Sequence, residues 1–282
     1  MKKHAYLIIA HNNFYTLEKL LRLLDDERND IFLHIDKKVK DFDFRGFAEV
    51  CRKARVIYPP KRMDVRWGTQ SQVLTEMLLF GTAMEHGPYR YYHLLSGVDL
   101  PLKTQQEIHA FFETTQDIFL CYGPQPSKWD VQRISRYHRV FPDRGLGTRL
   151  NGWLGLLQEK LGVDRLKHTG LTLKKGGNWA SLPQCAVEYL VANQKIIKKI
   201  TRFSSCADEV YKQTVLLSGG FDVNPEDWRY LEYYSGSDHP KVFTASDFET
   251  LMEQNKFFAR KFDENTDREI IDRVYSRLQK EA

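Results

Sequence analysis

Cysteine is scarce in this chain: 282 residues hold four, Cys51, Cys121, Cys185 and Cys206. They are far apart and form no CxxC pair. That spacing excludes a disulfide framework and disfavours a zinc site, and it fits free thiols in a reducing compartment. Long apolar runs are also missing. No stretch reaches the roughly 20 apolar residues of a membrane span. The run Ala5–Ala10 behind Lys2 and Lys3 is too short for a secretory signal, and it reads as a buried first strand. Charge of one sign is modest, with 42 basic residues against 37 acidic ones and a net charge of +5. Such an excess suits an anionic ligand but is too small to argue for nucleic acid. Several motifs are absent as well. No GxGxxG follows the first strand, and there is no GxxxxGK[ST], no GxSxG and no HExxH. Dinucleotide-binding, P-loop, serine-hydrolase and zincin chemistries are thereby disfavoured.

What is present is ample material for a core, 42% hydrophobic and 13% aromatic. The first hundred residues alternate between strand-like runs (5–10, 31–35, 55–58, 91–95) and helix-like spacings (16–24, 42–50, 70–85). That order predicts βαβ units and a largely parallel α/β sheet covered on both faces. Beyond it the spacing predicts a helix over 104–112, a strand over 118–121, and helices over 150–161, 183–192, 208–217, 247–254 and 267–279. The segment 123–175 is rich in Arg, Gly and Trp. No repeat or linker divides the chain. It reads as a single domain, with about 1–122 as a nucleotide half and about 123–282 as an acceptor half.

The stretch YYHLLSGVDLPLKT (91–104) ends a strand and places one acid, Asp99, where a metal-dependent sugar-nucleotide enzyme often places two. Asp41-Phe42-Asp43 does spell Asp-x-Asp, but it lies beside three lysines at a helix start. Acids in a first helical turn are stabilised there without a metal.

Seven segments in order carry a resemblance: AYLIIAHNN (5–13), IFLHIDKK (31–38), VRWGTQSQV (65–73), YYHLLSGVDLPLKTQQEI (91–108), GGNWASL (176–182), CADEVYKQT (206–214) and FFARKFD (257–263). Together they resemble the family of core-2/I-branching β-1,6-N-acetylglucosaminyltransferases, which also contains the peptide O-xylosyltransferases. The resemblance spans roughly residues 4 to 265. It implies a GT-A-like fold, a UDP-sugar donor, inversion at the anomeric carbon, and no cofactor or divalent metal. Basic side chains would neutralise the leaving diphosphate instead. With no membrane anchor in the sequence, the chain resembles a soluble bacterial version. It is expected in the cytoplasm or against the inner face of the cell membrane, building surface polysaccharide.

The resemblance also assigns residues. Glu209 matches the glutamate of a "DE" motif and is the candidate base. Its neighbour Asp208 would cap a helix or contact the acceptor. Lys261 matches a phosphate lysine, and a second cation would come from Lys241 or Arg229. Asp36 would accept from uracil or ribose, with Ala10, His11 and Arg66 near the same sheet edge. Ser71 would cap a helix or touch the donor. Asp99 would sit beside the donor sugar and diphosphate, or else bond its own turn. Trp179, Tyr233, Arg133, Arg136 and Tyr137 are acceptor candidates, because sugars stack their C–H faces on rings. The acceptor would be a glycan or a lipid-linked glycan. The basic stretches 52–66 and 195–202 would touch an anionic membrane. The donor is UDP-GlcNAc by resemblance, with UDP-xylose as the alternative. A non-catalytic carbohydrate- or nucleotide-binding protein on the same fold is the competing class.

Overall fold

The computed structural model describes residues 2–138, 145–234, 236 and 239–281. The first half follows the expected alternation. Strand β1 (His4–Ala10) leads to α1 (Phe14–Leu23), β2 (Asn29–Ile35), α2 (Phe44–Glu49), β3 (Arg55–Ile57), α3 (Gln70–His86) and β4 (Tyr91–Ser96). Next come β5 (Leu100–Pro101), α4 (Gln105–Glu113), β6 (Ile118–Leu120), α5 (Lys128–Ser135), α6 (Leu146–Lys160) and β7 (Ala180–Pro183). The chain continues with α7 (Gln184–Ala192), α8 (Gln194–Thr201), α9 (Tyr211–Ser218), β8 (Val223–Asn224) and β9 (Arg229–Tyr230). It closes with α10 (Phe248–Glu253), β10 (Phe258–Ala259) and α11 (Arg268–Glu281).

The main sheet has the order β3-β2-β1-β4-β7-β6-β8. Strands β3, β2, β1 and β4 are mutually parallel, as expected for βαβ units. Strand β7 is inserted antiparallel between β4 and β6. The carboxyl ends of β1, β2, β4 and β6 therefore share one edge with the amino end of β7. In register terms, Ala10 faces Ile35, Ile9 faces Ser96, and Ala180 faces both Leu94 and Leu120. A second, three-stranded sheet orders β5-β10-β9.

The strands are apolar throughout because both faces are covered. Alternate residues of β1 serve opposite layers. Tyr6 and Ile8 pack with Leu17, Leu20 and Leu21 of α1 and with Ile270, Ile271 and Val274 of α11. Ala5 and Leu7 pack with Val73 and Phe80 of α3 and with elements from α7 to α9. The two predicted halves thus contribute strands to one sheet.

Several local expectations need correction. Helices α5 and α8 fall where no helix was expected. The sequence of α5 is mostly polar; it starts at a capping box between Ser127 and Asp130 and buries Asp130, Arg133 and Ser135 as well as Ile134. In α8 the isoleucines Ile197 and Ile200 are buried, and the lysines read as a basic stretch lie on its other side. The helix expected over 208–217 is broken into a single 3-10 turn, Ala207–Glu209, followed by α9. Pro183 ends β7 and is the N-cap of α7. Strands β5 and β7 to β10 have two to four residues each, too short to show a period.

Candidate functional site

The shared sheet edge collects most of the predicted residues. At the end of β1, Ala10 accepts from the Asp36 amide at 2.9 Å. The Asp36 carboxylate, 3% exposed, takes the Lys38 amide at 2.8 Å and the Lys38 ammonium at 3.0 Å. His11 is exposed beside it. Partial burial lowers its pKa, Asp36 opposes that shift, and Lys38 and Lys261 add to it. These four side chains therefore share one electrostatic neighbourhood. Segment 61–69 lies alongside. The Lys37 amide bonds Met63, and Arg66 pairs with Asp64 at 2.9 Å. Ser71 Oγ accepts from the Arg66 amide at 2.8 Å and meets Thr69 Oγ1 at 2.7 Å. Ser71 thus braces the turn before α3, whose N-cap is Thr69, not Ser71 as expected.

At the end of β4, Asp99 is a turn aspartate. Its carboxylate accepts from Ser96 N at 2.8 Å and Ser96 Oγ at 2.6 Å. Its remaining contact is with Arg260, at 3.4 Å. Arg260 follows β10, donates to Ser96 Oγ at 3.1 Å, and lies 4.3 Å over the Trp179 ring. Next to it, Lys261 is half-buried, and its ammonium makes no hydrogen bond or ion pair with any described residue. A cation held against a ring beside a second, unpaired one is a ready receptor for a polyanion.

Both residues expected as the second cation are engaged with local partners. Arg229 is buried and donates to Ser181 Oγ at 2.9 Å, to the carbonyls of Ala180 at 2.7 Å and Leu94 at 3.3 Å, and to the Asp227 carbonyl. Burial lowers its pKa to about 10. It rivets β9 to the β4–β7 seam. Lys241 lies between Asp247 at 2.6 Å and Glu232 at 3.0 Å, and hydrogen bonding to Asp247 raises its pKa. Both carry positive charge that is already matched locally. Arg260, next to Lys261, has Ser96 and Asp99 as its polar partners. It was not named although it stands inside FFARKFD, because the second cation was sought in the preceding segment, at Lys241 or Arg229.

On the acceptor side, Glu209 ends the 3-10 turn. Its Oε2 receives Arg133 at 3.2 Å and has Lys175 at 3.9 Å. Its Oε1 meets no hydrogen-bond partner among the described residues. Arg133 and Lys175 also reach Asp130, at 3.0 and 3.4 Å. The result is a four-charge network that fixes the carboxylate by one oxygen. Gly176 completes the support. Its amide donates to the Glu209 carbonyl at 2.9 Å, and a Cβ there would lie 1.8 Å from the Cys121 carbonyl oxygen. The missing side chain at Gly176 therefore lets this segment run close against the backbone of Cys121. Asp130 and Lys175 were missed, since nothing local marks them as partners of Glu209.

Tyr233 is exposed, and partial burial raises its pKa, with the charges of Arg260 and Glu209 near enough to act on it. Asp208 points the other way. It is buried, accepts from Gln72 at 3.1 Å, and has its pKa pushed up to about 7 by burial and by Glu76. It is buried beneath the site, held by Gln72. Below it, Lys212 is fully buried and pairs with Glu76 at 2.6 Å. Arg136 and Tyr137 turn toward α6. Arg136 lies 3.7 Å from Glu159, and the Tyr137 backbone exchanges hydrogen bonds with Gln158 at 2.7 and 3.1 Å. They border a cleft of about 360 Å³ between α5 and α6, together with Trp129 and Ser205.

Asp43, from the apparent Asp-x-Asp, caps α2 by accepting from Gly46 N at 2.9 Å. Among the described residues no three His, Cys, Asp or Glu side chains cluster closely enough to hold a metal ion. Nor is any described helix long and apolar enough to cross a membrane.

The fold and the edge site define an α/β protein whose strand ends carry an anchored carboxylate and an arginine–lysine pair, the arginine lying over a tryptophan ring. The family model for the Core-2/I-Branching enzyme matches residues 4–255, and the chain belongs to that family. It is 23% identical to "Xylosyltransferase 2" of Canis lupus familiaris over 297 residues, covering 95% of this chain and 33% of that protein. To "Xylosyltransferase 1" of Homo sapiens it is 22% identical over 294 residues, covering 95% of this chain and 29% of that protein. To "N-acetyllactosaminide beta-1,6-N-acetylglucosaminyl-transferase" of Mus musculus it is 26% identical over 138 residues, covering 48% and 34%. The chain spans about a third of the length of these relatives.

Proposed function

We propose that the protein is an inverting, metal-independent glycosyltransferase. In this reading it moves a sugar from a UDP-sugar to a hydroxyl of a glycan, free or lipid-linked. One observation carries it: a carboxylate held by one oxygen, Glu209, stands at the same sheet edge as the Arg260–Lys261 cation pair. The acceptor oxygen attacks the anomeric carbon and forms the new C–O bond. The bond from that carbon to the diphosphate breaks, and UDP leaves with the electron pair. Glu209 Oε1 takes the acceptor proton. Arg260 and Lys261 stabilise the charge that develops on the diphosphate, which lowers the barrier more than it stabilises the bound substrate. Asp36 and His11 receive the nucleoside end, and Trp179 and Tyr233 offer ring faces to sugars.

GlcNAc is the donor sugar assigned here. Xylose is the second reading, favoured by the xylosyltransferases that match across 95% of the chain. The test is calorimetric titration of UDP, UDP-GlcNAc and UDP-xylose with EDTA, then with excess manganese. Binding in EDTA that manganese leaves unchanged supports a clamp of side chains. Binding that requires manganese overturns the metal-independent account. Glu209→Gln should retain UDP binding and lose transfer by roughly 100- to 10,000-fold, the range of general-base catalysis. Full transfer by that variant would remove Glu209 from the role.

A further inference from the structure

Helix α6 wears its amphipathic pattern inside out. A surface helix ordinarily turns its apolar stripe to the core and its polar side to water. In α6 the stripe Leu146, Leu150, Trp153 and Leu157, at spacings of four, three and four, is solvent-exposed, with Trp153 at 77%. Leu156 and Leu161 widen it and are exposed as well. The only fully buried residue of α6 is polar: Gln158, whose amide locks to the Tyr137 backbone. Half-buried Gly147, Asn151, Leu154 and Gly155 complete that inner side. The helix is thus docked by polar atoms, glycine and a single leucine, while its other leucines and its tryptophan face outward. Exposed apolar surface of this kind marks an interaction site.

Charge decides among occupants. Arg149 and Lys160 flank the stripe on its exposed side. Lys198, Lys199 and Arg202 stand near its C-terminal end. Arg165 links the two places, lying 4.6 Å over the Tyr137 ring and donating to the Lys199 carbonyl at 2.8 Å. Segments 145–167 and 194–202 together hold eight Lys and Arg against two acids, whereas the whole chain has an excess of five. The remainder of the chain is therefore net negative, and the positive charge is gathered around α6. A second copy meeting this face across a twofold axis would bring Arg149 and Lys160 against the same residues, an arrangement that like charges oppose. An anionic lipid surface complements both features. Its headgroups answer the cations, and its acyl boundary takes the leucines and tryptophan of a helix lying in the interfacial plane.

We propose that α6 is an interfacial docking helix that lays its Leu146–Leu150–Trp153–Leu157 stripe into an anionic membrane surface. The second basic stretch considered from sequence, 52–66, has no comparable apolar stripe and takes no part. The α5–α6 cleft lies on the other side of this helix, lined by Asn151, Gly155 and Gln158, and stays on the protein side when the stripe docks. The docking itself does not depend on the transferase reading.

The test is co-sedimentation of the full chain with vesicles of phosphatidylcholine alone and with added phosphatidylglycerol. We expect binding to the mixed vesicles, weakened by salt, and at least about tenfold weaker for the Leu150→Ser/Trp153→Ser/Leu157→Ser variant. The charge variant Arg149→Glu/Lys160→Glu should also bind more weakly while leaving the stripe intact. Unfolding midpoints equal to that of the parent chain show that the variants fold. UDP titration reports the donor site separately: a blank titration with intact vesicle binding faults the transferase reading alone. No binding to mixed vesicles overturns the proposal, as does equal binding by the triple variant. A dimer of the parent chain that the triple variant dissolves would instead assign the stripe to a second copy.

Discussion

Lys212→Met is the most informative single perturbation of this fold. The ammonium is wholly buried and spends all three donors, on Glu76 Oε2 at 2.6 Å, Asn178 Oδ1 at 2.7 Å and the Asp208 carbonyl at 3.2 Å. Methionine fills much of the same volume but leaves Glu76 with only the Tyr211 hydroxyl, at 2.7 Å. Glu76 Oε1 has no partner already, and Asp208 is a second buried carboxylate acting on the same pocket. Breaking a buried pair from one side costs about 3–5 kcal/mol. The loss should depend on pH in a defined sense. The lysine charge opposes the rise in the Asp208 pKa, so its removal raises that pKa further. A carboxyl with a raised folded-state pKa keeps its full stability contribution at acid pH and loses it as pH climbs. The variant should therefore be less impaired at pH 5 than at pH 7. Urea unfolding at both values measures this. The double variant Lys212→Met/Glu76→Leu, which removes both charges, should recover most of the loss. Transfer should also fall in the single variant, because Lys212 ties Asn178, next to Trp179, to Asp208, next to Glu209. A loss under about 1 kcal/mol at pH 7 would refute a dry, paired site.

Three further outcomes are expected. Arg260→Ala and Lys261→Ala should each weaken UDP binding by about 1.5–3 kcal/mol, the worth of a hydrogen bond to a charged group, whereas Lys241→Ala should leave it unchanged; calorimetry with all three would expose a wrong choice of cation. Gly176→Ala should destabilise by about 1–3 kcal/mol or more and cut transfer, because its Cβ meets backbone at Cys121 and must shift the segment that bonds the Glu209 carbonyl; a thermal melt that matches the parent would contradict this. Acid should destabilise the fold through buried histidines. Burial lowers His34 and His109 to about 4 and His4 to about 2, so between pH 6.5 and 4 the unfolded chain binds protons that the folded one refuses. Stability should then drop by roughly 1.4 kcal/mol per pH unit for each such histidine. Asp208, raised to about 7, works in the opposite direction over much of that range but is a single group against several. An unfolding free energy that stays flat from pH 7 to 5 would count against the buried neutral state.

The first half of the chain was legible because its periods are long and clean. The runs at 5–10, 31–35 and 91–95 and the leucine spacing of α1 each lie within a few residues of the observed elements. The second half hid its order. Strand β7 has four residues and takes its identity from its neighbours β4 and β6. Helix α5 buries an aspartate and an arginine because Asp130 and Arg133 answer one another, a pairing that hydrophobic periodicity does not register. At the site, distinctive segments were enough to single out positions such as Glu209, Lys261 and Asp36 as candidates. Partnerships were not. Nothing in the spacing says that Arg229 spends its guanidinium on Ala180 and Leu94, or that Arg260 rests on Trp179 from 81 residues away.

The antiparallel strand β7 has a practical consequence for handling the molecule. Because it starts where its parallel neighbours finish, every strand end that bears a site residue lies on one rim of the sheet. The other rim holds the starts of β1, β2 and β4 and the finish of β7, where His4 stands level with Asn29 and Tyr91, and Tyr91 with Pro183. The seven residues of β1 separate the rims by about 20 Å. A tether attached ahead of His4 would therefore hold the protein by its back. On a sensor chip or resin, that orientation presents Asp36, Glu209 and Arg260 to the solution with no part of the anchor in the way.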